Sequence, residues 1–230
     1  MRTTHLHTTL ICLLAGCLSV FATPKLKVVV LIDGLNQASL DMLRPYWSQG
    51  GLRTCSEEAQ HTTLSFSQWL YGGDESTATL LTGVSPLQHT YTMDYTFSRT
   101  DKKTHLILED KTQEGIGTTL QISPKELSVP TLADQHRMRH GDKAKIYAIG
   151  IHPTTTILLA GHAANACCWI EADKLQWCTT SFYPEGLPSA ADEMNVSGRF
   201  ATLATRQWTP RMDISAYTCP TDEEKQKGFS

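Results

Sequence analysis

An α/β domain with a mostly parallel sheet flanked by helices is the fold class this sequence predicts, on three observations. Residues 26–32, Leu-Lys-Val-Val-Val-Leu-Ile, form a near-continuous β-branched apolar run, the pattern of a parallel strand buried on both faces. Helical spacing of Leu40, Leu43 and Trp47 follows directly. The same alternation of strand and helix returns in residues 131–151.

The first predicted strand ends at Asp33-Gly34, and the helix after it has an N-cap at Asn36 or Ser39 and a stop at Gly50-Gly51. Asp33 thus stands at the C-terminal end of a parallel strand, where open α/β sheets place their ligands. Its hard oxygen donors suit Zn²⁺ or Mg²⁺, and they suit equally the capping of the following turn. Residues 74–83, Asp-Glu-Ser-Thr-Ala-Thr-Leu-Leu-Thr-Gly, predict a helix that opens at Asp74 or Ser76 and stops at Gly83, with residues 84–89 as a loop. Residues 91–128 are polar and aromatic without a period, which predicts an irregular, cap-like excursion over the sheet. A helix over 131–140, a second buried strand over 145–151 and a small helix around 157–159 follow. Residues 166–171 and 176–183 then alternate as strands do.

With 230 residues, 40% of them hydrophobic, the chain can bury one sizeable core. Its formal charge of -3, with the signs interspersed, leaves no basic footprint, so nucleic acid is not an expected partner. Residues 1–22 read as an export signal: Arg2, a polar stretch, then an apolar run over 10–22 that is too short to span a bilayer. Three readings stay open there. Cleavage near Ala22 leaves a mature chain of residues 23–230, lipoprotein processing at Leu14-Ala-Gly-Cys17 leaves a lipid anchor on Cys17, and a third course retains the segment as an anchor. Either processing leads to the periplasm or cell envelope, with no transmembrane span once the signal is removed. The remaining cysteines, Cys55, Cys167, Cys168, Cys178 and Cys219, lack the spacing of a structural zinc site and read as core residues or as one or two disulfides.

Residues 27–43, Thr82-Gly83 with Pro86 and His89, and Ala160-Gly161-His162 with the later Trp169 carry a resemblance in order and approximate spacing. Together they resemble the N-terminal half of the alkaline phosphatase superfamily. The type I phosphodiesterase and nucleotide pyrophosphatase group is the nearest branch, especially its bacterial periplasmic alkaline phosphatases. The resemblance covers most of residues 25–200. It implies an alkaline phosphatase-like α/β fold, incomplete at the C-terminus, and metal-dependent hydrolysis of a phosphate ester. In that family two zinc ions flank a Thr or Ser nucleophile, lowering its pKa and stabilising the leaving oxygen. Asp33 matches the first zinc-binding Asp.

The match fails where the chemistry should sit. Counting back from Thr82-Gly83 sets the nucleophile position at Gly73, which has no hydroxyl. A shifted register recruits Ser76 or Thr77, yet Asp74, Ser76 and Thr77 are also ordinary helix-capping residues. The family's phosphate-contacting Asn falls at Asp94, and its Lys-x-Arg pair at His152 and Thr154, so the bidentate guanidinium is missing. The Asp-x-x-x-His, Asp-His and final His ligands of the family's second half have no counterpart; Asp101 and His105 share the first spacing, but in the excursion, where it reads as chance. A catalytic zinc needs three protein ligands, and Asp33 alone is matched.

The expectation is therefore an exported phosphatase-superfamily chain, truncated and catalytically degenerate. Two alternatives accompany it. One is a non-catalytic binder of a phosphorylated or other anionic small molecule. The other is an active hydrolase whose metal is held by Asp33, Asp74 and Glu75 beside a Ser or Thr.

Overall fold

The computed structural model describes residues 26–66, 73–207 and 209; the export-signal segment, with Cys17, lies outside them. The chain divides into two units, Met1–Leu64 and Ser65–Ser230.

In the first unit, α1 (Gln37–Leu43) is capped as its sequence predicts, the Asn36 side chain accepting from the Ser39 N–H at 2.8 Å. A 3-10 turn, Arg44–Tyr46, and α2 (Leu52–Glu58) follow. The expected first strand is corrected here. Residues 26–32 take no regular secondary structure and pair with no described strand, and Leu26, Val28 and Val30 are 72–77% exposed. β-propensity describes a fit to a pleated, half-buried surface, and among the described residues this run has no ladder partner to supply one.

The second unit holds a four-stranded sheet in the order β3-β6-β5-β4, built from β3 (Gly115–Ile116), β4 (Tyr147–Ile149), β5 (Ala166–Glu171) and β6 (Gln176–Thr180). β4 and β5 are parallel, Ala148 opposite Cys167, and α6 (Pro153–Ala160) makes the crossover between them. β6 adds to β5 antiparallel, Trp169 opposite Cys178, and β3 adds to β6 in the same sense. The α/β character expected from sequence is present, while among the described residues the mostly parallel pairing expected is reduced to the β4–β5 ladder, β5–β6 and β3–β6 being antiparallel.

α3 (Asp74–Thr82) and α5 (Leu132–His140) begin and end close to the predicted positions, α3 stopping at Gly83 in the left-handed region. The loop predicted over 84–89 instead contains a one-turn helix, α4 (Pro86–His89), closed by a capping box between Ser85 and Gln88. The excursion is more regular than expected. It contains an antiparallel hairpin of β1 (Tyr95–Ser98) and β2 (Lys103–Leu106), and it sends Tyr91, Leu108, Ile122 and Leu127 into the same buried cluster as Ala78, Ile157, Cys167 and Trp169. α7 (Ser189–Val196) is tied to β6 through Asn195, whose amide accepts from the Trp177 N–H at 2.7 Å and donates to the Trp177 carbonyl at 2.9 Å. A short α8 (Arg199–Ala204) closes the described chain.

Candidate functional site

The corner is built from the start of α3, the segment after α4 and the start of α6. α3 opens on Gly73, at φ 81° and ψ -153°, a backbone region that glycine enters freely and a threonine does not. Its N-cap therefore has no side chain to accept a hydrogen bond, which corrects the expectation that Asp74, Ser76 or Thr77 caps this helix. Asp74 and Glu75 occupy the first turn, where the helix dipole favours negative charge. Asp74 accepts a hydrogen bond from the Thr155 hydroxyl of α6, so the starts of α3 and α6 meet.

Tyr91 is buried beside them. Its hydroxyl donates to Asp94 Oδ1 at 2.6 Å. Burial first, then Asp94, and then the charges of Asp74 and Glu75 push its pKa up, so the phenol stays protonated. Three carboxylates thus act on one phenol. Behind it, the fully buried His89 accepts the Tyr91 N–H at Nδ1, 3.1 Å away, which leaves its Nε2–H to donate to Thr79 Oγ1 at 3.0 Å. Burial lowers the His89 pKa against the pull of Glu75, which fits the neutral tautomer these bonds require.

His152 is the N-cap of α6 and contributes its carbonyl, which accepts from the Thr156 N–H at 3.1 Å and from the Thr156 hydroxyl at 2.5 Å; its imidazole is exposed. Thr154 is buried in the first turn of α6. Thr77 Oγ1 reaches only the Gly73 carbonyl, at 3.5 Å, and among the described residues neither Ser76 nor Thr77 is hydrogen-bonded to an imidazole or carboxylate that would act as its base. Asp33 lies in the first unit, exposed, accepting from the Gly34 N–H at 2.8 Å in a local turn. The corner therefore gathers Asp74, Glu75, Tyr91, Asp94 and Thr155. Thr155 escapes sequence reasoning because its partner Asp74 lies 81 residues away on another element, and Tyr91 because burial defines its role; the proximity of Tyr91 to Asp94 in the chain was the available signal.

Asp134 holds the Ala160-Gly161-His162 turn against α5. It accepts from the N–H groups of Thr131 (2.9 Å), His162 (2.7 Å) and Ala163 (2.8 Å) and from His162 Nδ1 (2.9 Å). A Cβ on Gly161 would lie 2.2 Å from Thr131 Oγ1, so only glycine allows this approach. His162 is thereby bound into the scaffold.

The donors present do not fit the zinc pair that the resemblance implies. Among the described residues no three or more His, Cys, Asp or Glu side chains converge to hold a metal. Burial raises the thiol of Cys168 to about 11 and that of Cys178 to about 12, so both stay protonated, as poor ligands. Cys55, Cys167, Cys168 and Cys178 are free thiols. No described helix is long and apolar enough to cross a membrane.

No protein-family model matches the chain. A calcium-transporting ATPase of Myroides odoratus is 26% identical over 207 residues, 87% of this chain and 37% of that protein. Alkaline phosphatase PhoV of Synechococcus elongatus is 24% identical over 210 residues, 89% of this chain and 38% of its own length. Alkaline phosphatase PafA of Elizabethkingia meningoseptica is 24% identical over 143 residues, 60% of this chain and 26% of that one. The crystal structure of wild-type PafA matches the fold with a TM-score of 0.58 at 23% identity, over 64% of this chain and 29% of PafA. A PafA variant with a Thr, an Asn, a Lys and an Arg replaced matches to the same extent. The chain spans less than two fifths of the length of these curated relatives.

Proposed function

We propose that the chain, over part of its length a member of the alkaline phosphatase-like superfamily, is an exported relative of these phosphate ester hydrolases whose phosphoryl-transfer corner has become catalytically degenerate. One observation carries this reading: Gly73, in a left-handed backbone conformation, stands where the superfamily's nucleophile is expected. The Thr and Asn replaced in the PafA variant have the same separation in chain as Gly73 and Asp94, and its Lys and Arg the same separation as His152 and Thr154. That correspondence supports the register.

The surroundings agree. A phosphate dianion entering this corner meets the carboxylates of Asp74, Glu75 and Asp94, and His152 and Thr154 stand where the resemblance implies a Lys-x-Arg pair, so both binding and charge stabilisation in the transition state are opposed. Binding of an anionic small molecule, the first alternative, meets the same repulsion. The rewired-hydrolase alternative lacks a base at Ser76 and Thr77 among the described residues.

The test is hydrolysis of p-nitrophenyl phosphate and its bis-ester by the purified chain, with metal content measured before and after Zn²⁺ is added. The expected result is no turnover above background. Zn-dependent turnover that disappears in Thr77→Ala or Ser76→Ala would overturn the reading and establish a relocated nucleophile.

A further inference from the structure

His105, on β2, touches a carboxylate at each end of its ring: Nε2 lies 2.6 Å from Asp101 Oδ2 and Nδ1 lies 2.7 Å from Glu109 Oε2. Ionised carboxylates accept and do not donate, and a neutral imidazole has only one N–H. Both contacts therefore need the imidazolium. The arrangement also excludes convergence on one metal ion, since the carboxylates sit on opposite edges of the ring.

The three residues belong to different parts of the excursion. Asp101 is in the turn of the hairpin, its carboxylate also accepting the Lys103 N–H at 3.2 Å. His105 faces the uncharged Thr96 across the ladder. Glu109 is bridged antiparallel to Ile122, and the next residue, Asp110, bonds through its N–H to Gln121 and through its carboxylate to the buried Ser123. The ring thus connects the tip of the hairpin to the stretch that anchors it. At the hairpin's base the Asp94 carbonyl accepts the Ile107 N–H at 2.8 Å, so both strands spring from the candidate corner.

We propose that His105, as an imidazolium between Asp101 and Glu109, is a proton-dependent latch that holds the β1–β2 hairpin closed and releases it as pH rises. The charged neighbours are few. Lys111 pairs with the second oxygen of Glu109 at 3.6 Å, and Lys103 lies two positions away on β2; partial burial of the ring opposes the extra proton, and the two carboxylates outweigh it. Glu109 first, then Asp101, hold the His105 pKa above its ordinary value. Ser98 and then His105 hold Asp101 down, to about 2. A His with a raised folded pKa gives its full contribution below the unfolded value of about 6.5 and loses it as pH rises through the folded one. The Asp101 contribution fails only in strong acid, so the working transition is the alkaline one.

Ring-nitrogen NMR of His105, followed from about pH 5 to about pH 10, reads the protonation state directly. Hydrogen exchange of the amides of residues 95–106, corrected for intrinsic rate and compared with β5, reads the hairpin. The expected result is a His105 midpoint above about 6.5, crossed together with an increase of about two- to fivefold in hairpin opening. Asp101→Asn and Glu109→Gln should each lower the midpoint and remove the step in exchange. A midpoint at or below the ordinary value, no change in exchange across it, or a step that survives both substitutions overturns the latch.

Discussion

Residues 26–32 and β5 are both apolar and both rich in strand-forming side chains, and they end in opposite states. In β5, Cys167, Cys168 and Trp169 are at most 1% exposed, whereas Val28 and Val30 are each 72% exposed. Composition is not what separates them. β5 has β4 on one side and β6 on the other, and α6 against it. The run at 26–32 has no described ladder partner. A strand is a property of a pair, and the sequence of one member does not specify it.

Removing the indole of Trp169 tests the packed side of this contrast most severely. Trp169 is among the largest fully buried side chains and lies in the shared core cluster. Trp169→Ala should cost about 3–5 kcal/mol in urea unfolding, from lost burial plus the cavity left behind. A loss under about 1 kcal/mol would mean that this core is not close-packed in solution.

Asp134→Asn should have the next largest effect, about 1–3 kcal/mol, because a buried hydrogen-bonded charge is replaced by a group that must turn two donors toward the same N–H partners. Its pH dependence sharpens the comparison, since the first unit has no described buried charge. Burial works against the Asp134 carboxylate, but His162, Thr131 and Ala163 more than offset it and hold the pKa below the usual range. Its contribution is present above about pH 4 and lost as pH falls through the folded value. Asp134 raises the His162 pKa, so that contribution is present below about pH 6.5 and lost as pH rises through the folded value. Urea midpoints measured across pH should show a plateau between these limits, and Asp134→Asn should flatten both shoulders.

These contrasts also mark what the sequence made legible. Helix α3 could be read from Gly83, because a cap is a local event decided within four residues. Gly73, Asp94, His152 and Thr154 were reached by counting along a resemblance. The β1–β2 hairpin was missed although Tyr95 and Phe97 alternate, because its turn, Arg99-Thr-Asp-Lys102, has no Asn-Gly or Gly-rich signal and sets Lys102 at φ 60°. The acid corner was missed as an assembly, because Asp74 meets Thr155 across 81 residues and Tyr91 is defined by burial that no local pattern encodes. Local chemistry was readable; the long-range pairings that turn it into a site were not.

The smallest expected effect is the one that would break the opening comparison. Val28→Thr and Val30→Thr alter side chains that are already 72% exposed, so they remove little buried apolar area. Thr retains the β-branch and leaves the backbone preference nearly unchanged. Each substitution should change the unfolding free energy by less than about 0.5 kcal/mol, as for other surface positions. Large losses from both would show that these side chains pack in solution against a surface that the described ladder does not provide. The strand expected from Val28-Val29-Val30 would then have formed after all, and Asp33 would regain its place at the end of it. Small losses from both, beside a large loss for Trp169→Ala, would place the limit on strand formation in the lack of a described ladder partner and not in the residues of the run.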